Sequence, residues 1–153
     1  MQNGPNSNKT PMDKIDSGAA TALYRIDSDG VLRVRWSGLV LPGTAADLSA
    51  RLLRAAADAG AHAVLSDLRQ ALLALPPVTA DYYRWVPPAL RSFPIGFVVS
   101  AEQQPIYQQL PRAAAQARTV RRAVRSVADG EAWVQEHAKA YSANRVWWAR
   151  RRA

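Results

Sequence analysis

Apolar residues in this chain fall at strand spacing in some stretches and at helical spacing in others, and the two patterns take turns. Residues 23–26 and 31–36 read as strands joined by Asp27-Ser28-Asp29-Gly30, whose Asp and Gly residues suit a hairpin turn. In the second strand Leu32, Val34 and Trp36 alternate with Arg33 and Arg35, so one face is buried and the other wet. Gly38 and Pro42-Gly43 mark its exit, and Thr44 is the expected cap of a helix over 45–59. In that helix Leu48, Leu52, Leu53 and Ala56 share a face, and Gly60 ends it.

A short buried strand over 63–68 follows, with Asp67 and Arg69 at its carboxyl end and Pro76-Pro77 in the next loop. Thr79 opens an expected helix to about residue 90, with Asp81 placed well for its dipole and Pro87-Pro88 ending or kinking it. Residues 94–100 form a third buried strand. A helix over 101–110 is then expected to kink or end at Pro111, with a further turn over 112–118. A weaker strand covers 121–127, and a last helix begins near Ala128 with Trp133 and Val134 as core anchors. It is expected to fray after Tyr141. The order β-β-α-β-α-β-α-β-α predicts one α/β domain with a mixed, mostly parallel sheet of about five strands after a starting hairpin, and about four helices. The domain is expected over 21–141, after a flexible polar leader (1–20) and before a basic aromatic tail (142–153).

Composition narrows the chemistry. A chain of 153 residues can bury a core without staples, and with no cysteine it has no disulfide, thiolate nucleophile or cysteine-held metal. His62 lies in a helix-to-strand loop and His137 on the last helix, so neither a triad nor a multi-histidine metal site is suggested. The chain carries no G-x-G-x-x-G, Walker loop, G-x-S-x-G or H-E-x-x-H, and no cofactor or metal is implied. No apolar run approaches the roughly 20 residues of a membrane span, and the polar amino terminus has no signal-peptide core. The expected compartment is the cytoplasm. Residues 112–153 hold 10 basic and 3 acidic side chains, a net of +7 out of +8, which suits an acidic partner or anionic lipid as well as a solvated face.

Three segments carry a family resemblance: Leu65-Ser66-Asp67-Leu68-Arg69; Thr79 to Pro87 with Asp81, Tyr82 and Tyr83; and Arg125-Ser126-Val127-Ala128-Asp129-Gly130-Glu131-Ala132-Trp133-Val134. With the element order over about 24–140, they resemble the SpoIIAA-like (STAS-like) domains of the anti-sigma-factor-antagonist type. The resemblance implies that fold and a regulatory, protein-binding role. It also exposes a departure. Such domains carry a phosphorylatable serine after the central strand, whereas here Asp67 is followed by Leu68, Arg69, Gln70 and Ala71.

The reading that results is a non-enzymatic interaction or regulatory module of STAS-like type, lacking that serine. Its partner is a protein or a second copy of the chain. The alternative is a carrier or sensor of a small anionic or lipid-like ligand, peripheral at a membrane. Asp67 and Arg69, two residues apart in a strand, point the same way and would either pair with each other or rim a ligand crevice. In the second case Tyr82 and Tyr83 form its walls and Arg84 an anion contact, with the ligand between the strand end and the helix that Thr79 opens. In the tail, Trp147 and Trp148 beside Arg150, Arg151 and Arg152 suit docking onto the domain or a twin subunit first, a membrane interface second and nucleic acid last.

Overall fold

The structure, a computed structural model, describes residues 11–79, 81 and 91–151, the stretch 143–151 as helix backbone only. Six strands stand side by side in chain order: β1 (Asp13–Ser17), β2 (Ala20–Ile26), β3 (Val31–Val40), β4 (Ala63–Leu73), β5 (Ile95–Val98) and β6 (Arg121–Val124). The first three pair antiparallel, and β3 through β6 pair parallel. Helix α1 (Pro42–Asp58) links β3 to β4, α2 (Leu110–Ala117) precedes β6, and α3 (Val127–Arg151) ends the described chain. Strand order never reverses, so right-handed crossovers put α1 and α2 on one face of the sheet. That ordering removes the switch-point crevice at which open α/β sheets usually bind ligands.

The larger core lies on the α1/α2 face, where Leu48, Leu52 and Leu53 of α1 and Leu110 and Ala113 of α2 meet Leu32, Val34, Trp36, Val64 and Phe97. The opposite face is narrower: Val134 and Ala138 of α3 cover Val31, Ala63, Leu65 and Val98. Gly130 lets this helix come down on the sheet, because a Cβ there would stand 2.8 Å from Leu65 and 3.1 Å from Val98. The Asp27–Gly30 turn closes as expected, with the Gly30 N–H donating to the Asp27 carbonyl at 3.0 Å. Gly30 has φ 78° and carries the His62 ring where a Cβ would sit.

Several expected boundaries move. The leader was expected to be flexible through residue 20, yet Asp13–Ser17 form edge strand β1; one inward residue, Ile15, is too weak a pattern to show. Thr44 caps nothing: α1 starts two residues earlier, with Leu41 extended and Pro42 in the first turn, where a missing N–H costs no hydrogen bond. The same rule shifts the helix expected over 101–110. Residues Gln104–Tyr107 make only a short 3-10 turn, and Pro111 starts α2 rather than ending a helix. The α3 backbone runs through Arg151, past the expected fraying point and into the stretch expected as a tail, since no Gly or Pro interrupts 131–151. The helix expected over 79–90 lies outside the described residues apart from Thr79 and Asp81.

Candidate functional site

Strand β4 outruns its neighbour. Its pairing with β5 stops at Asp67 opposite Val98, while its pairing with β3 continues to Leu73 opposite Val40. Asp67 and Arg69 therefore sit in mid-strand rather than at the strand's end, and the backbone stays extended to Leu73. One extra residue is accommodated between Arg35/Asp67 and Ser37/Gln70, a bulge that shifts the register. On the side that β5 no longer reaches, the buried Gln103 carboxamide donates to the Leu68 and Ala71 carbonyls at 2.6 and 2.9 Å. It replaces a missing strand for carbonyls that would otherwise be costly to bury. Its own oxygen accepts from the Ser100 N–H at 3.0 Å. No periodicity in the sequence signals Gln103.

Asp67 and Arg69 form a two-pronged pair, Nε to Oδ1 at 2.9 Å and Nη2 to Oδ2 at 2.8 Å, and the Arg69 N–H adds a bond at 3.1 Å. Burial raises the Asp67 pKa, but the bonds from Arg69 and the charges of Arg69 and Arg35 outweigh it, so the carboxyl titrates below its ordinary range. An ionised carboxylate so engaged is a poor general base.

The α3 helix meets this face of β4 at Leu65, and the strand continues past the helix's first turn. The residues beyond it on this face are Arg35, Asp67 and Arg69, then the pairs Ser37/Gln70 and Leu39/Leu72. Leu72 is 69% exposed and Leu39 half-buried, an apolar end to an otherwise charged strip.

Thr79 does not join them. It is exposed on the α1/α2 face, in shallow clefts with Pro42, Asp81, Gln109 and Arg112, while its neighbour Val78 is buried in the larger core. The expected crevice is thus divided between opposite faces of the sheet. Tyr82, Tyr83 and Arg84 lie outside the described residues, as does Arg152, and for Trp147, Trp148, Arg150 and Arg151 only the helical backbone is described.

The larger core holds a half-open pocket of about 50 Å³ walled by apolar side chains such as Trp36, Leu52, Leu68, Phe97 and Tyr107. The Trp36 Nε1–H donates to Ser66 Oγ at 2.8 Å beside it. Small-molecule sites usually enclose ~300–1,000 Å³.

A second charged cluster lies at the other end of the α3 face. Arg33 donates to Glu131 at 2.8 Å from Nε and again from Nη2, to Asp27 at 2.7 Å and to Asp29 at 2.8 Å. Gln135 adds a bond to Asp29 at 2.7 Å. The Arg33 bonds hold the Asp29 carboxyl down at a pKa of about 2 despite partial burial. Every arm is used within the domain, so this cluster is a latch between hairpin and helix. The His137 Nδ1–H donates to the Trp133 carbonyl at 2.9 Å and the ring stacks on that of Trp133, and among the described residues no three His, Asp or Glu gather as a metal group. Also among the described residues, no helix is long and apolar enough to cross a membrane.

By sequence, no family model and no curated protein matches the chain. By fold, it is similar to the crystal structure of an anti-sigma factor antagonist from Mycobacterium paratuberculosis. The two are 17% identical, the match covers 76% of this chain and 94% of that one, and the TM-score is 0.50. The chain has the SpoIIAA-like (STAS-like) fold, as its segments over 65–69 and 125–134 led us to expect.

Proposed function

We propose that this chain is a non-enzymatic regulatory module that binds a protein partner through the strip running from Arg35, Asp67 and Arg69 to Leu39 and Leu72. The observation that carries this reading is Leu72, 69% exposed at the end of a strand whose polar groups are already satisfied by Gln103 and Arg69. A large apolar side chain held on a rigid, ion-paired support is the kind of anchor that protein interfaces bury. The shared fold with an anti-sigma factor antagonist, a protein named for acting on another protein, favours the same class of role. With Leu68, Arg69, Gln70 and Ala71 following Asp67, switching by phosphorylation at the usual position has no hydroxyl to use, and binding is set by partner concentration or by another control.

A carrier role draws on the apolar pocket, but a volume of about 50 Å³ suits a few waters better than a lipid-like ligand. The test is quantitative affinity enrichment with the wild-type chain, Leu72→Glu and Arg69→Glu as baits, followed by reconstitution of each candidate complex from purified proteins. A partner that binds wild type and loses about tenfold or more in affinity for Leu72→Glu supports the reading. Partners retained equally by all three baits would sink it.

A further inference from the structure

The chain offers a second binding place at the β6 edge of the sheet, independent of the strip around Asp67. Strand β6 is the last strand on its side among the described residues. The Ile95 and Val99 N–H groups donate to the Val120 and Val124 carbonyls, which fixes the parallel ladder. In that ladder Arg122 and Val124 turn their backbone groups toward β5, so the N–H and C=O of Ala123 point outward. This edge is not bare surface: it forms the floor of a groove of about 920 Å³ between α2 and its preceding turn on one side and α3 on the other.

The two walls differ in a useful way. Arg121 and Ala123 face the α1/α2 core, whereas Arg122 and Val124 face α3, where the stacked Trp133 and His137 rings stand 4.2 Å apart. Arg122 and Arg125 are exposed, Arg121 is buried, and no carboxylate occurs among the groove's described lining residues. The groove thus presents outward-facing backbone donors and acceptors, a flat aromatic pair and only positive charge.

We infer that this groove takes an extended acidic segment of a partner protein, added beside β6 as a seventh strand. Main-chain bonds to Ala123 hold such a segment in register, and its alternate side chains fall on the two walls. Carboxylates on the α3 side meet Arg122 beside Trp133, the alternate apolar side chains lie on the opposite wall against Pro111 and Ala114 of α2, and a carboxylate at the carboxyl end of β6 meets Arg125. The excess of arginine in the last third of the chain, otherwise only a bulk property, acquires a place in the fold.

The probe is a labelled peptide of about eight residues alternating glutamate and valine, long enough for one strand, followed by fluorescence anisotropy at low salt. Saturable binding that weakens as salt is raised is expected. Arg122→Glu and Arg125→Glu should each reduce affinity by about tenfold or more. Ala123→Pro removes an outward N–H, which an edge strand tolerates, and should cost about as much without changing charge. Thermal melting checks that this variant folds. Should it not, the same peptide N-methylated at alternate positions removes the main-chain bonds from the other partner, and its binding should fall likewise. Absence of binding to the wild-type chain would overturn the inference, as would binding indifferent to both Ala123→Pro and N-methylation. Self-association of the chain through β6, seen by sedimentation and undisturbed by the peptide, would also overturn it by making a second copy the occupant.

Discussion

Two arginine–carboxylate groups lie on the α3 side of this sheet, and they do opposite things. Arg33 reaches Glu131 across 98 residues of sequence and also holds Asp27 and Asp29, so one guanidinium joins a hairpin to a helix. Arg69 pairs with Asp67 two residues away on the same strand and joins nothing else in the described chain. The Arg33 side chain is 17% exposed and that of Arg69 44%. An ion pair stabilises a fold when it ties distant elements and is partly withdrawn from water; a local, wet pair mainly shapes the surface it stands on. The first cluster is therefore architecture, and the second shapes the surface proposed to meet a partner.

The sharpest way to break this contrast is Arg33→Ala. It leaves Glu131, Asp27 and Asp29 without their shared cation, and it should lower unfolding stability by about 2–3 kcal/mol in urea denaturation. Next comes Gln103→Ala, which leaves the Leu68 and Ala71 carbonyls without that donor; about 1–2 kcal/mol is expected, with faster amide exchange along the end of β4.

Acid should separate the clusters further. The Asp29 carboxyl has a lower pKa folded, at about 2, than unfolded, near 3.8. The unfolded state therefore binds more protons in that window, and the stabilisation is complete above it and lost as pH falls toward 2. After discounting for its partial exposure, the effect is on the order of 1 kcal/mol, and Asp29→Asn should flatten the stability profile between about pH 5 and 2. Asp67, also lowered, contributes with the same sign. The smallest effect belongs to Arg69→Ala, below about 1 kcal/mol by the same denaturation, even though this variant alters the proposed partner strip. If Arg69→Ala proved as costly as Arg33→Ala, the distinction between latch and surface would collapse.

Much of the fold was legible before the structure. Alternation of Leu32, Val34 and Trp36 with Arg33 and Arg35, the helical face of Leu48, Leu52, Leu53 and Ala56, and the Asp27–Gly30 turn are local patterns, and local patterns survive into the fold because each is a periodicity of the backbone itself. Prolines were harder to read. Pro42 and Pro111 open helices here, and a proline near a helix signals a start or a stop equally well until neighbouring packing selects one.

The candidate site was legible only in part. The Asp67–Arg69 pair follows from two-residue spacing in a strand, and the pairing is there. The separation of Thr79 from it is not a local matter: it depends on which face of the sheet the chain returns to after β4. Nor could spacing announce Gln103, whose role arises only because β5 ends six residues before β4 does. The sequence by itself determined the strands after the first, the buried face of α1, the turn and the concentration of positive charge, since these rest on backbone period and composition. The tertiary structure alone decided the order of strands, the length by which β4 projects, the partners of Arg33 and the place of β6 as the last strand on its side among the described residues. Those depend on contacts between residues far apart in the chain, which no local pattern encodes.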